Sequence, residues 1–150
     1  MKTNSLIKKS IFLLVVAFFL NSCSKEDISY DLVGSWKVIY YINDSKKITK
    51  TDDNTWPDIN NGDITANFSE PDSNGKGTVS GFRVSNVYSG DYTINNDGNI
   101  TFGEIIQTYI NEPDWTKLYN LSSVEHYQIR RSILLLYHNN DKTVIGLERD

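Results

Sequence analysis

The sequence predicts a mainly β fold, either a small antiparallel β-barrel or a curled sheet, with one α-helix at about residues 112–121. Three observations carry this. Apolar and polar residues alternate over short segments, the signature of half-buried strands. Clusters of Asn, Asp, Gly and Pro punctuate those segments. Aromatic residues reach 12%, with nine Tyr and three Trp, a composition that suits strands.

The elements follow in order. Gly34 to Ile42 reads as a first strand, with Trp36, Val38, Tyr40 and Ile42 on one face and Lys37, Ile39 and Tyr41 on the other. Asn43 to Gly62 is polar and breaker-rich, long for a loop in a compact domain. Asp63 to Ser69 alternates cleanly, with Ile64, Ala66 and Phe68 on the apolar side. Pro71 to Gly75 is a turn, and a third strand runs from Gly77 to about Val84, where Gly81 suggests a bulge or sharp bend. Tyr88–Ile94 and Asn99–Phe102 form a hairpin around Asn96-Asp97-Gly98.

Then the period changes. Asn111-Glu112-Pro113-Asp114 reads as a helix start, with an Asn cap, an early Pro and acids near the positive end. Trp115, Leu118 and Tyr119 share one face of that helix, which lids an open end of the sheet. Val124–Arg130 and Ile133–Tyr137 make a second hairpin, and Val144–Glu148 is the last strand.

Ahead of this domain lies a different kind of sequence. Lys2, Lys8 and Lys9 precede the uncharged run Ile11–Leu20, the layout of a secretory leader. That run spans about ten residues, whereas a membrane-crossing helix needs roughly 20. Leu20-Asn21-Ser22-Cys23 resembles a lipoprotein processing site, although Asn21 departs from the small or apolar residue favoured there. The expected organisation is a signal peptide over 1–22, a lipid anchor and tether over 23–31, and a β domain over 32–150. Lipidated Cys23 would moor the protein, each buried methylene contributing ~0.8 kcal/mol. Ser24-Lys25-Glu26-Asp27 resembles an outer-membrane surface-export tag, so the expected location is the outer membrane, with exposure at the cell surface an open alternative.

Removing the leader's three lysines and no acids takes the formal charge from −4 to −7. Such a chain has no electrostatic route to nucleic acid. Cys23 is the only cysteine, so no intrachain disulfide forms and core packing must stabilise the domain.

The segments Leu32-Val33-Gly34-Ser35-Trp36, Gly77-Thr78-Val79-Ser80-Gly81 and Asn86-Val87-Tyr88-Ser89-Gly90-Asp91-Tyr92 resemble the META domain of HslJ-type lipoproteins. So do the closing residues Leu121, Val124, Tyr127, Ile129, Leu134 and Leu136. Val84-Ser85 stands where that family often has Gly-Cys, and Gln107–Ile110 replaces its cysteine-bearing segment. The Gly-x-Trp opening is also similar to that of lipocalin-like bacterial lipoproteins. The META resemblance implies a non-catalytic envelope or stress role; the lipocalin resemblance implies a carrier of a small hydrophobic ligand.

Candidate ligand-lining residues are Trp36, Tyr40, Tyr88, Tyr92 and Tyr127, each weighed against simple core packing, because small barrels are filled by side chains. Asp52, Asp53, Asp58, Asn60 and Asp63 supply oxygens, yet Asp58-x-Asn60-x-Gly62-Asp63 is out of register with a calcium loop. His126 and His138 lie apart without an acidic or cysteine pattern, a poor zinc signal. No Gly-x-Ser-x-Gly elbow occurs. No catalytic residue, metal or cofactor is assigned, and a hydrolase with two converging acids is the third reading. The expected partners are the membrane, through the N-terminal lipid, and an unknown protein or small hydrophobic ligand.

Overall fold

The structure, a computed structural model, describes residues 28–29 and 31–150. The signal peptide, Cys23 and most of the expected tether lie outside the described residues. Among the described residues, ten strands form one antiparallel sheet: β1 (Ile28–Ser29), β2 (Gly34–Asn43), β3 (Lys46–Thr49), β4 (Thr65–Phe68), β5 (Lys76–Arg83), β6 (Asn86–Ile94), β7 (Ile100–Gln107), β8 (His126–Arg130), β9 (Ile133–His138) and β10 (Thr143–Arg149). Their order is β1-β8-β9-β10-β2-β4-β5-β6-β7, with β3 paired to β2. Apart from β1 and β3, chain neighbours are sheet neighbours except β7 and β8, which stand toward opposite ends of the order, and β10 returns to β2. The sheet curls until its far ends meet at one corner. There Asn99 bridges His126, Ile100 N–H donates to Glu125 O at 3.2 Å and Tyr127 N–H to Gly98 O at 2.8 Å. The result is the curled antiparallel sheet that the alternation predicted.

The concave face is packed solid. Trp36, Tyr41, Phe68, Tyr92, Trp115 and Tyr127 are all at most 2% exposed, within one apolar cluster that also holds Leu32, Val79, Leu134, Leu136 and Leu147. Aromatic rings meet edge to face: Tyr41–Trp115 at 4.7 Å and Phe68–Tyr92 at 5.4 Å between centroids.

Two bulges set which side chains enter that core. Gly146 faces Tyr40 while Leu147 faces Val38, so Ile39 is an extra residue on β2. The bulge inverts the alternation: Trp36 and Val38 point inward, and then Tyr41 does, leaving Tyr40 and Ile42 only half-buried. The expected continuous face Trp36-Val38-Tyr40-Ile42 is therefore corrected at its second half. On the other side of the sheet, Gly90 faces Ile105 and Tyr92 faces Phe102, so Gly103 and Glu104 oppose the single residue Asp91. This second bulge hides the period, and β7 runs on to Gln107 rather than ending at Phe102.

Gly81 is not at a bulge, since β5 and β6 stay in register through it. Its missing side chain makes room for another backbone: a Cβ there would collide with the Thr65 carbonyl, which accepts a 2.8 Å hydrogen bond from Tyr88 Oη. Three further expectations are corrected. Ile28–Ser29, inside the stretch read as tether, pair with Ile129–Arg130. The Asn43–Gly62 loop contains β3, reached through Asp44 and Ser45, both at positive φ (45° and 68°), which closes a tight hairpin without glycine. The helix near 112–121 is not α-helical. It consists of 3-10 turns at Asp114–Leu118 and Leu121–Ser123, without a side-chain cap from Asn111. Bonds span three residues (Thr116 N–H to Pro113 O, Tyr119 N–H to Thr116 O), and so short a helix gains little from α geometry. Trp115 and Tyr119 are buried and Leu118 packs against the same core, as their spacing predicted.

Candidate functional site

The curled sheet does not close along its whole length. Beyond the Asn99–His126 corner, β7 runs beside the 3-10 connection rather than beside β8. A pocket of about 190 Å³ opens in this seam, between Ile105 and Gln107 of β7 and the chain Tyr119–Ser122, with Arg83, Tyr88 and Tyr109 completing it.

Its base is a polar cluster. The Tyr88 and Tyr119 hydroxyls lie 2.6 Å apart. Arg83 donates to Gln107 Oε1 at 2.6 Å and to Thr116 O at 3.2 Å, and its Nη2 is 3.1 Å from Glu112 Oε2. Burial pushes the phenols of Tyr88 and Tyr41 well above their ordinary range, and nearby Tyr119 adds to the shift. Tyr119 is pushed up too, again chiefly by burial. All three hydroxyls therefore stay protonated at physiological pH. Tyr41 Oη, Arg83 Nε and Trp115 Nε1 are buried there without a hydrogen-bond partner among the described residues.

Asn86 locks one wall in place. Its side chain, 1% exposed, donates from Nδ2 to Ile110 O (2.9 Å) and Glu112 Oε1 (2.8 Å). Its Oδ1 accepts from Thr108 Oγ1 and Ile110 N–H, both at 2.8 Å. One amide thus holds the segment after β7 against the start of β6 and delivers Glu112 to Arg83.

Of the five candidate ligand-lining residues, the structure brings only Tyr88 to this pocket. Trp36 is wholly buried; its Nε1–H donates to Leu32 O at 2.9 Å and the Arg149 guanidinium covers its ring at 4.0 Å. Tyr92 is buried and bonds Ser69 O at 2.5 Å. Tyr127 is buried in the core cluster. Tyr40 packs its ring over Gly146 on the face turned away from that core, with Lys47 Nζ 4.3 Å from its centroid. Arg83 and Glu112 had no signal in the sequence: each sits beside a turn, and only the curl of the sheet joins them.

The acidic loop is held by its own polar contacts. Lys50 pairs with Asp63, and Asn54 caps Thr51 N–H at 2.9 Å. Among the described residues no three His, Cys, Asp or Glu side chains gather as metal ligands. His126 stacks on Tyr137 at 4.7 Å, its Nε2 3.4 Å from Asp141 Oδ1.

No protein-family model and no curated protein matches the chain. A solved structure does: the 1.00 Å crystal structure of a DUF4847 family protein from Bacteroides vulgatus ATCC 8482. It is 15% identical with a TM-score of 0.56, over 78% of this chain and 92% of that one. At that identity the likeness is one of fold.

Proposed function

We propose that this chain is a cell-envelope protein moored to the outer membrane by a lipid on Cys23, whose META-like β domain works without catalysis as a binding module in envelope maintenance. The observation that carries the reading is the filled interior. Trp36, Tyr92, Phe102 and Ile129, which would surround the ligand of a carrier, belong instead to one packed apolar cluster. A carrier's apolar cavity is on the order of 300 Å³ or more. The seam pocket, at about 190 Å³, is smaller, and its lining mixes Arg83, Gln107 and Asn120 with tyrosines; the hollows of about 370–560 Å³ are wider and shallower surface grooves outside the core. That lining suits recognition of a polar group at the surface rather than enclosure of a greasy one.

Two measurements test the proposal. Native mass spectrometry of membrane-extracted protein is expected to give the lipidated chain without a bound small molecule; a stoichiometric hydrophobic ligand would refute the binding-module reading in favour of a carrier. Cys23→Ala is expected to move the protein from the membrane fraction to the soluble fraction. Continued sedimentation with membranes would sink the anchoring.

A further inference from the structure

We propose that the seam pocket binds one neutral pyranose ring of a glycan, with Tyr109 as the platform on which the sugar stacks. The inference rests on the binding-module reading and names what is bound.

The way Tyr109 is presented carries it. Tyr109 lines the pocket and is 92% exposed, more than any other large hydrophobic side chain among the described residues. Yet both of its chain neighbours are pinned. Asn86 Oδ1 accepts from Thr108 Oγ1 and from Ile110 N–H, and Asn86 Nδ2 donates to Ile110 O. Thr108 N–H also donates to Val87 O at 3.1 Å. A buried asparagine thus fixes the backbone on either side of a ring that packs into nothing. Binding sites hold their contact groups by such supporting bonds, so that little freedom is lost when a ligand arrives.

The pocket chemistry selects the ligand. Gln107 gives its oxygen to Arg83, and Asn120 gives its nitrogen to Ser123. Among the described residues Gln107 Nε2, Asn120 Oδ1 and Ser122 Oγ have no hydrogen-bond partner. The pocket therefore offers an amide donor, an amide acceptor and a hydroxyl that is both, beside the apolar Ile105 and Leu121. Its cation, Arg83, is already matched by Glu112 at 3.1 Å, and the chain carries a net charge of −4. A phosphate or carboxylate has no unmatched charge to meet there. A lipid tail would cover three polar groups and satisfy none. A pyranose answers each feature: its hydroxyls donate and accept, and its C–H face is apolar and flat enough to lie on a phenol ring. The volume of about 190 Å³ is below the roughly 300–1,000 Å³ that drug-sized ligands occupy, so it suits one ring rather than two.

The test uses the whole protein and a panel of neutral oligosaccharides: glucans, mannans, galactans, xylans and N-acetylglucosamine oligomers. Each is titrated to millimolar concentration and read by NMR at the side-chain amides of Gln107 and Asn120 and the ring of Tyr109. At least one series should shift all three together and saturate, with an affinity that salt leaves unchanged. Tyr109→Ala should weaken that binding about tenfold, and Tyr109→Phe should hold it within about twofold, because the ring is the platform. Backbone shifts of β6 and β7 report whether each variant folds. The proposal is overturned if no member of the panel shifts these groups, if Tyr109→Ala binds as tightly as the parent, or if only anionic sugars or neutral peptides shift them. Failure of every glycan would leave the filled-core reading standing; a stoichiometric hydrophobic ligand in the native mass spectrum would remove that reading itself.

Discussion

Asn86→Ala is the perturbation that most directly tests how the seam is built. The substitution deletes four hydrogen bonds of 2.8–2.9 Å from a side chain 1% exposed. A net hydrogen bond contributes about 1 kcal/mol, and one to a carboxylate more. Part of the loss is recovered, because Thr108 and Ile110 are exposed and can bond water once the segment loosens. The balance is about 3 kcal/mol. For a domain of this size that lowers Tm by about 10 °C. Urea and thermal unfolding measure it. A loss under about 1 kcal/mol would refute the claim that this amide anchors the segment after β7. The orientation of the amide is itself testable. Ile110 N–H can only donate, so the atom it meets must be the oxygen. Asn86→Asp keeps that acceptor but sets a second carboxylate against Glu112 and the Ile110 carbonyl. It should be no more stable than the alanine variant at pH 7; full recovery would mean that this side chain does not face the Glu112 carboxylate.

Tyr88→Phe should cost about 1–2 kcal/mol, since it orphans the Tyr119 hydroxyl and takes the donor from Thr65 O; Tyr119→Phe should cost about 1 kcal/mol or less, since Tyr88 Oη keeps Thr65 O, and the double variant should cost less than the sum of the two. Strict additivity in a double-mutant cycle would mean that the 2.6 Å contact carries no coupling. His138 tests pH dependence. Burial holds its pKa below 6.5, with Glu125 opposing, and its Nε2 is buried without a partner among the described residues. The unfolded chain therefore binds a proton near pH 6.5 that the folded chain refuses. Stability is full above that pH and falls as pH drops from 6.5 toward the depressed native value. His138→Gln should flatten the curve in that window alone; identical pH profiles for the two proteins would contradict the assignment.

What the sequence made legible was the alternation. It located the core of eight of the strands and the aromatic residues of the connection, because a half-buried strand must repeat every two residues. It failed where that repeat breaks. Ile39 is one extra residue and Gly103-Glu104 add another by opposing Asp91 alone, and nothing in a period-two pattern marks an insertion before the partner strand is known. Hence Tyr40 was placed inward and Tyr41 outward, and the far half of β7 was lost. β3, Lys-Lys-Ile-Thr, was missed because it has too little apolar surface to alternate. Asn86 stood out only through the META resemblance, and its four bonds supply a physical reason for an asparagine at that position. Arg83 and Glu112 stayed invisible because their pairing spans the curl of the sheet.

The seam follows from the long link between β7 and β8. β6 reaches β7 through a tight reversal at Asn95–Asn99, and β8 reaches β9 through Arg131–Ser132, but β7 reaches β8 only across residues 108–125. That stretch cannot extend β8 backward along β7. Pro113 has no N–H to give a ladder, and Trp115, Tyr119 and Leu121 bury their side chains as 3-10 turns instead. Packing of those three residues satisfies the core, so closure of the sheet is not needed for stability. Lengthening β8 to pair with β7 would unwind the 3-10 turns that seat Trp115, Tyr119 and Leu121 in the core and would remove the pocket, so the pocket exists because the sheet stops short of itself.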